Sequence, residues 1–124
     1  MKKAFIIGAG NLGTALAKYE KFHEVGLDIL ALFDIDKNKI GKTINGKLVL
    51  HVDKLPNLIK KSNIDIVILT LPEMYAQVTA DVLVSAGVKN IWNFTPCILN
   101  VPKSVIIKNE NLAEHFLQFA SPAI

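Results

Sequence analysis

Three glycines and one aspartate near the start of the chain have the spacing of a dinucleotide-binding turn. Gly8, Gly10 and Gly13 fit the pattern G-x-G-x-x-G, and Asp34 follows 21 residues after Gly13, close to the usual interval of about 20. The first glycine permits a tight turn, the second lets a pyrophosphate approach the backbone, and the third allows close packing of a helix. The pattern predicts a phosphate site where a strand turns into a helix.

Asp34 is the residue expected to bind the adenosine ribose. A carboxylate accepts hydrogen bonds from ribose hydroxyls, each worth about 1.5–3 kcal/mol, and it repels a 2′-phosphate. The chain contains no arginine to receive such a phosphate, so NAD(H) is favoured over NADP(H), although Lys37 and Lys39 lie close in sequence. The alternative is a ligandless α/β fold in which the glycines only form a turn, which would leave the spacing of Asp34 a coincidence.

The elements that would position these residues alternate between strands and helices. The strands are apolar throughout, which is typical of strands buried on both faces of a parallel sheet. We therefore predict an α/β fold, a doubly wound, mostly parallel Rossmann sheet in three α/β/α layers, forming one domain over residues 1–124. The predicted strands are 4–7, 28–34, 49–50, 65–70, 90–94 and 105–108, and the predicted helices are 11–22, 53–62 (capped by Asp53), 74–86 and 112–120.

Two further segments follow predicted strands at the edge where such sheets bind ligands. They are Thr70, Leu71 and Pro72 after one strand, and Phe94, Thr95 and Pro96 after the next. Their mostly apolar character suits an uncharged dihydronicotinamide better than the cationic oxidised ring, because desolvating an unpaired cation is costly. The alternative is that both segments are ordinary X-Pro turns.

Residues that could perform catalysis are sparse. The Tyr-x-x-x-Lys motif of short-chain dehydrogenases is absent, and His23, His51 and His115 lack the spacing of metal ligands. Cys97 is the single cysteine, and no histidine is placed by sequence to activate it, so a small buried side chain is the simpler interpretation. We expect neither an enzyme nor a metal site.

Charge and hydropathy argue against a nucleic-acid-binding protein and a membrane protein. The net charge is +3 and the lysines are scattered along the 124 residues, which is typical of solubility rather than of a nucleic-acid surface. Apolar runs are too short for a membrane span of about 20 residues. Together with the single cysteine, these features predict a cytoplasmic protein with no membrane partner.

A series of segments resembles the nucleotide-binding domain of the Rex family of bacterial redox-sensing transcriptional repressors. In chain order they are GAGNLGTALAKY, LFDIDKNKIGK, NIDIVILTLP, AGVKNIWNFTP and LNVP. The resemblance implies a Rossmann domain that binds NADH in competition with NAD⁺. It implies that the pyrophosphate is held by Gly8, Gly10, Asn11, Leu12 and Gly13, the ribose by Asp34, and the nicotinamide by the segments 70–72 and 94–96.

The resemblance also implies a homodimer formed by a C-terminal helix that swaps between subunits. Leu112, Phe116 and Phe119 form an apolar stripe with helical spacing, which packs either on its own sheet or on a second subunit. Two departures are evident. The family's winged-helix domain precedes the matched region, so no direct DNA binding is expected of this chain alone. Asn111 also replaces an aspartate that pairs in the family with the tyrosine matched by Tyr19.

Two other functions remain open from the residues. One is the cofactor domain of an enzyme such as a nucleotide-sugar dehydratase or reductase. The other is a coenzyme A-binding domain, which shares the fold. Asp34 argues for a ribose with both hydroxyls free, and so against coenzyme A.

Overall fold

The structure is a computed structural model that describes residues 1–110. Within that range the chain forms a seven-stranded sheet with the order β3-β4-β2-β1-β5-β6-β7. All neighbouring strands are parallel except β3 and β4, which are antiparallel. The strands are β1 (Lys2–Ile7), β2 (Leu27–Asp34), β3 (Thr43–Ile44), β4 (Lys47–His51), β5 (Ile66–Leu69), β6 (Asn90–Asn93) and β7 (Ile106–Asn109).

Helices connect most of the parallel strands and pack on both faces of the sheet. They are α1 (Asn11–Ala17), α2 (Lys21–Glu24), α3 (Leu55–Ser62) and α4 (Glu73–Ser85), with a 3₁₀ turn at Val52–Lys54. Apart from β3, the parallel strands follow the Rossmann order. Strands β2 to β4 lie on one side of β1, and strands β5 to β7 lie on the other side. In such sheets the ligand-binding crevice lies at this switch point, beyond the carboxyl ends of β1 and β5. The predicted fold class is confirmed.

Two apolar cores explain why the strands lack polar alternation. One face of the sheet packs on α3 and α4, with Phe33, Leu69 and Leu83 fully buried. The other face includes Ile6, Leu32 and Ile68, also fully buried, and packs on Leu16 and Phe22. Burying apolar side chains on both faces is the main favourable term in forming such a sheet.

The predicted helix 11–22 is two short helices in the structure. The last turn of α1 tightens, because the N–H of Lys18 is shared between the carbonyls of Thr14 and Ala15, and the N–H of Tyr19 donates to Leu16. Such i→i−3 bonds are common where an α-helix ends. Phe22 still packs on the second core, so the apolar spacing was a correct sign of burial but not of one continuous helix.

Strand β3 was missed in the sequence. It pairs with β4 through a two-residue turn, and both turn residues have positive φ angles, 51° at Asn45 and 77° at Gly46. An Asn-Gly pair is the sequence typical of this tight hairpin turn, because both residues tolerate the left-handed region. The signal was therefore present, but the flanking strand Thr43–Ile44 is too short to show a pattern.

The predicted cap at Asp53 is wrong. Helix α3 begins after Lys54, which makes no side-chain capping bond. Asp53 lies inside the preceding 3₁₀ turn, and it is the ring nitrogen Nδ1 of His51 that accepts from the Asp53 N–H, at 3.0 Å. Helix α3 begins later than predicted because Val52–Lys54 form a 3₁₀ turn between β4 and α3.

The predicted helix 112–120 lies outside the described residues. No helix within residues 1–110 is long and apolar enough to cross a membrane.

Candidate functional site

The segments singled out in the sequence lie side by side along the carboxyl edge of the sheet. Gly8 follows β1 and donates its N–H to the carbonyl of Phe33 in β2, at 2.7 Å. Thr70 follows β5 and donates its N–H to Ile7, and Phe94 follows β6 and donates its N–H to Leu69, both at 2.9 Å. Backbone hydrogen bonds thus fix the order of the segments as Asp34, Gly8, Thr70 and Phe94.

The turn from β1 into α1, residues 8–10, is called the glycine loop below. Gly8 has a φ of 106°, a region that side chains disfavour, so a glycine is required there. A Cβ on Gly13 would overlap the carbonyl oxygen of Gly8, which is the close helix packing expected of the third glycine.

Gly10 is free of any such constraint from the fold. Its φ is −80°, and a Cβ added there would meet no atom of the described protein within 4 Å. Gly10 nevertheless lines a cavity at this edge of the sheet. Since packing does not require a glycine at this position, the space beside it is available to a ligand that approaches the backbone closely.

The Asp34 carboxylate joins the glycine loop to the end of β2. Its Oδ2 accepts from the N–H of Ala9 at 2.8 Å, and its Oδ1 accepts from the N–H groups of Ile35 and Asp36 at 2.7 and 2.9 Å. Oδ1 therefore has both lone pairs engaged, whereas Oδ2 keeps one for a ligand hydroxyl.

The ionised form of Asp34 is stabilised by these contacts. Partial burial of the carboxyl group raises its pKa, but the backbone N–H groups of Ala9, Asp36 and Ile35 and the positive charge of Lys39 outweigh that effect, so the pKa lies below the ordinary value of 3.8. Asp34 is thus a fixed anion at neutral pH, able to accept hydrogen bonds and to repel a phosphate.

A cleft of about 890 Å³ opens at this edge, a size typical of small-molecule sites. Six predicted site residues line it: Gly8, Gly10, Asp34, Thr70, Leu71 and Pro72. Much of the remaining wall is apolar and comes from the 3₁₀ turn, α3 and α4, including Val52, Pro56, Tyr75, Val78 and Val82. The segment after β2 adds Asp36 and Lys39 beside Asp34. The sequence analysis predicted no site residue on this apolar wall, because apolar side chains on a helix are equally typical of simple packing against a sheet.

The other six predicted site residues do not line this cleft. Asn11, Leu12 and Gly13 begin α1, and Gly13 is buried beneath the glycine loop. Phe94 packs on Trp92 with ring centroids 5.0 Å apart, and Pro96 is exposed. The cleft therefore brings together Asp34, Gly8, Gly10 and residues 70–72. Residues 94–96 lie farther along the same edge.

Thr95 is held in a buried polar turn that the sequence did not reveal. Its hydroxyl and its N–H both bond to Oδ1 of Asn93, at 2.7 and 3.0 Å, and Asn93 is fully buried. Nδ2 of Asn93 donates to the carbonyl of Cys97 at 2.9 Å and to Oδ1 of Asn109 at 3.0 Å. The network fixes the backbone of residues 94–96 and links it to the end of β7. An asparagine at the end of a strand gave no sign of this role.

The remaining candidates lie elsewhere. Tyr19 is exposed and stacks edge-on against Phe22, with centroids 4.9 Å apart, while its expected partner Asn111 lies outside the described residues. Nδ1 of His51 lies 3.3 Å from Oδ2 of Asp53. Among residues 1–110 no group of three His, Cys, Asp or Glu side chains could hold a metal ion.

Comparisons with known proteins show which families and structures this chain resembles. A family model described as the CoA binding domain matches residues 1–97. The Redox-sensing transcriptional repressor Rex of Treponema denticola is 50% identical over 115 residues, which are 93% of this chain and 55% of that protein. The chain spans about half the length of the curated relatives it matches.

Solved structures agree with these relatives. RSP, a Rex-family repressor, is 40% identical and covers 99% of this chain. Its complex with β-NADH superposes with a TM-score of 0.94 over 60% of RSP. Its complex with β-NAD⁺ and operator DNA gives 0.95 over 57%. The chain therefore belongs to the CoA-binding domain family, and over most of its length it is similar to one part of the Rex repressors.

Proposed function

We propose that this chain is an NAD(H)-binding regulatory domain that senses the redox state of the nicotinamide and performs no catalysis itself. The proposal is supported by relatives that are redox-sensing repressors and by RSP, which was solved with NADH and with NAD⁺. The same relatives support a place in the cytoplasm, with the chain acting as one domain.

The observation that carries the proposal is the order of the site segments along the carboxyl edge. Asp34, the glycine loop, residues 70–72 and residues 94–96 follow one another on adjacent strands. A dinucleotide laid along that edge places its ribose at Asp34, its pyrophosphate at Gly8 and Gly10, and its nicotinamide towards Leu71 and Pro72. The space that a Cβ on Gly10 would fill fits the close approach of a pyrophosphate.

When bound, the dinucleotide supplies a nicotinamide ring that is neutral when reduced and cationic when oxidised. The chain's own residues then discriminate between the two forms. Leu71 and Pro72 line the cleft beside the glycine loop, and apolar surroundings disfavour an unpaired cation. We infer that the reduced form binds more tightly.

Coenzyme A is the ligand that the family description suggests, and Asp34 argues against it. The carboxylate is a fixed anion with one lone pair of Oδ2 free beside the glycine loop. A ribose with two free hydroxyls can donate to that oxygen. The phosphate on the ribose of coenzyme A, or of NADPH, would be repelled there.

Calorimetric titration of the purified chain with NADH, NAD⁺, NADPH and coenzyme A in parallel tests the proposal. We expect tight binding of NADH and weaker binding of the other three. Equal affinities for NADH and NAD⁺ would favour the cofactor domain of an enzyme instead. Tight coenzyme A binding would overturn the assignment of Asp34 to a free ribose.

A further inference from the structure

The hydroxyl of Thr70 is directed at the glycine loop. Its Oγ1 lies 2.9 Å from the carbonyl oxygen of Gly8 and 3.0 Å from that of Ile7. A threonine hydroxyl carries a single proton, so these two carbonyls share it. Thr70 therefore has no proton left to donate to a ligand while the loop keeps this conformation.

The surroundings of the hydroxyl explain why two glycines face it. A Cβ on Gly8 would lie 2.7 Å from Oγ1 of Thr70, and a Cβ on Gly13 would lie 2.8 Å from it. Both distances are too short for a carbon beside an oxygen. The absence of side chains at Gly8 and Gly13 thus leaves the space in which the threonine hydroxyl reaches the loop backbone.

Side chains from two other elements hold the rest of the loop. The N–H of Ala9 donates to Asp34 at 2.8 Å, and the carbonyl of Ala9 accepts from the hydroxyl of Thr14 at 3.3 Å. The loop is consequently held from β2, from α1 and, through Thr70, from the end of β5. A loop already fixed before binding loses little conformational entropy when it receives a pyrophosphate.

We infer that Thr70 is a positioning residue for the pyrophosphate loop rather than a contact for the nicotinamide ring. This inference rests on the proposed function, in that the ligand is a dinucleotide. It reassigns one of the residues expected on the nicotinamide side, and it leaves Leu71 and Pro72 as the apolar wall there.

Two variants and two ligands test the inference. Thr70→Val removes the hydroxyl at nearly constant volume, and Thr70→Ser keeps it as the matched control. ADP-ribose contains the pyrophosphate but no nicotinamide. We expect Thr70→Val to weaken NADH and ADP-ribose by the same factor, about three- to ten-fold, and Thr70→Ser to restore most of the affinity. Weakened NADH with unchanged ADP-ribose, or no change for either, would overturn the inference.

A second measurement needs no ligand. Amide hydrogen exchange of Gly8, Ala9 and Gly10 by NMR reports how firmly the loop is held. We expect faster exchange in Thr70→Val than in the wild type and Thr70→Ser, and equal rates would overturn the inference. Failure of the wild type to bind any dinucleotide would instead overturn the proposed function, while loop exchange would still decide the role of Thr70.

Discussion

Asp34 acts on two parts of the candidate site at once. In the proposed binding mode its carboxylate accepts a hydrogen bond from the ribose, and in the structure its Oδ2 already accepts one from the N–H of Ala9 in the glycine loop. Removing it would therefore withdraw a ligand contact and loosen the loop that faces the pyrophosphate. We therefore expect its removal to lower the affinity for the dinucleotide by more than the loss of one contact would.

Asp34→Asn is predicted to weaken NADH binding by about 10–100-fold, the range given by one charged hydrogen bond, with the loop contact pushing the value upward. Asp65→Asn is the matched control, because Asp65 also accepts a backbone N–H, from Lys3 at 2.9 Å, but precedes a strand at the opposite edge. Calorimetry measures both. Equal affinities for Asp34→Asn and the wild type would place the adenosine elsewhere.

The lowered pKa of Asp34 predicts an acid-sensitive contribution to stability. Because the folded pKa lies below the ordinary value of 3.8, this contribution is present above that value and is lost as pH falls through the folded pKa. We expect the difference in unfolding free energy between wild type and Asp34→Asn to be constant above about pH 5 and to shrink below about pH 4. Urea unfolding across this range measures it. A difference that grows on acidification would contradict the assignment.

At the scale of elements, one glycine of the strand-to-helix turn is required by the packing of the fold, and another is not. Gly13 packs on the backbone of Gly8, whereas Gly10 faces the cleft with no protein atom of the described chain near a Cβ. Two glycines of one motif thus serve different purposes, and one substitution at each distinguishes them.

Gly13→Ala is predicted to destabilise the fold by about 1–3 kcal/mol or more, because the new Cβ overlaps the Gly8 carbonyl. Gly10→Ala is predicted to cost less than about 1 kcal/mol in stability, the scale of an unfavourable N-cap, yet to weaken NADH at least about ten-fold by filling the pyrophosphate space. Thermal unfolding and calorimetry check the pair. A Gly10→Ala protein of full affinity would mean that no ligand approaches this backbone.

Whether the sequence predicts a site residue depends on how far apart along the chain its contacts lie. Gly8, Gly10, Gly13 and Asp34 are identified by local spacing, since each role is tied to the turn or to the next strand. The contact between Asp34 and Ala9, the hydroxyl bond from Thr70 to the loop, and the network of Asn93 join segments that only the folded sheet brings together. A single threonine or asparagine after a strand carries no periodic pattern that could reveal them.

At the scale of the whole molecule, the prediction concerns assembly into a homodimer. The stripe formed by Leu112, Phe116 and Phe119 lies outside the described residues, and the homodimer remains a prediction from the sequence. Within residues 1–110, Ile106 on β7 is 66% exposed. A single exposed apolar side chain is ordinary on a protein surface and needs no partner to cover it.

Phe116→Ser is predicted to raise the dimer dissociation constant at least about ten-fold, because burying one phenylalanine contributes about 1.5–3 kcal/mol. Ile98→Ser, at a side chain that is 94% exposed, is the control for removing an apolar surface group. Sedimentation over a dilution series measures both. A wild-type chain that is monomeric at micromolar concentration would remove the dimer from consideration.

Trp92 is the only tryptophan of the chain, and it lies on β6 between Phe22 and Phe94, which begins the segment predicted to hold the nicotinamide. Reduced nicotinamide absorbs the near-ultraviolet light that tryptophan emits, and oxidised nicotinamide does not. A bound NADH is therefore an energy-transfer acceptor for Trp92, and NAD⁺ is not. With the dinucleotide bound as proposed, the emission of Trp92 would report without any label which redox form is present.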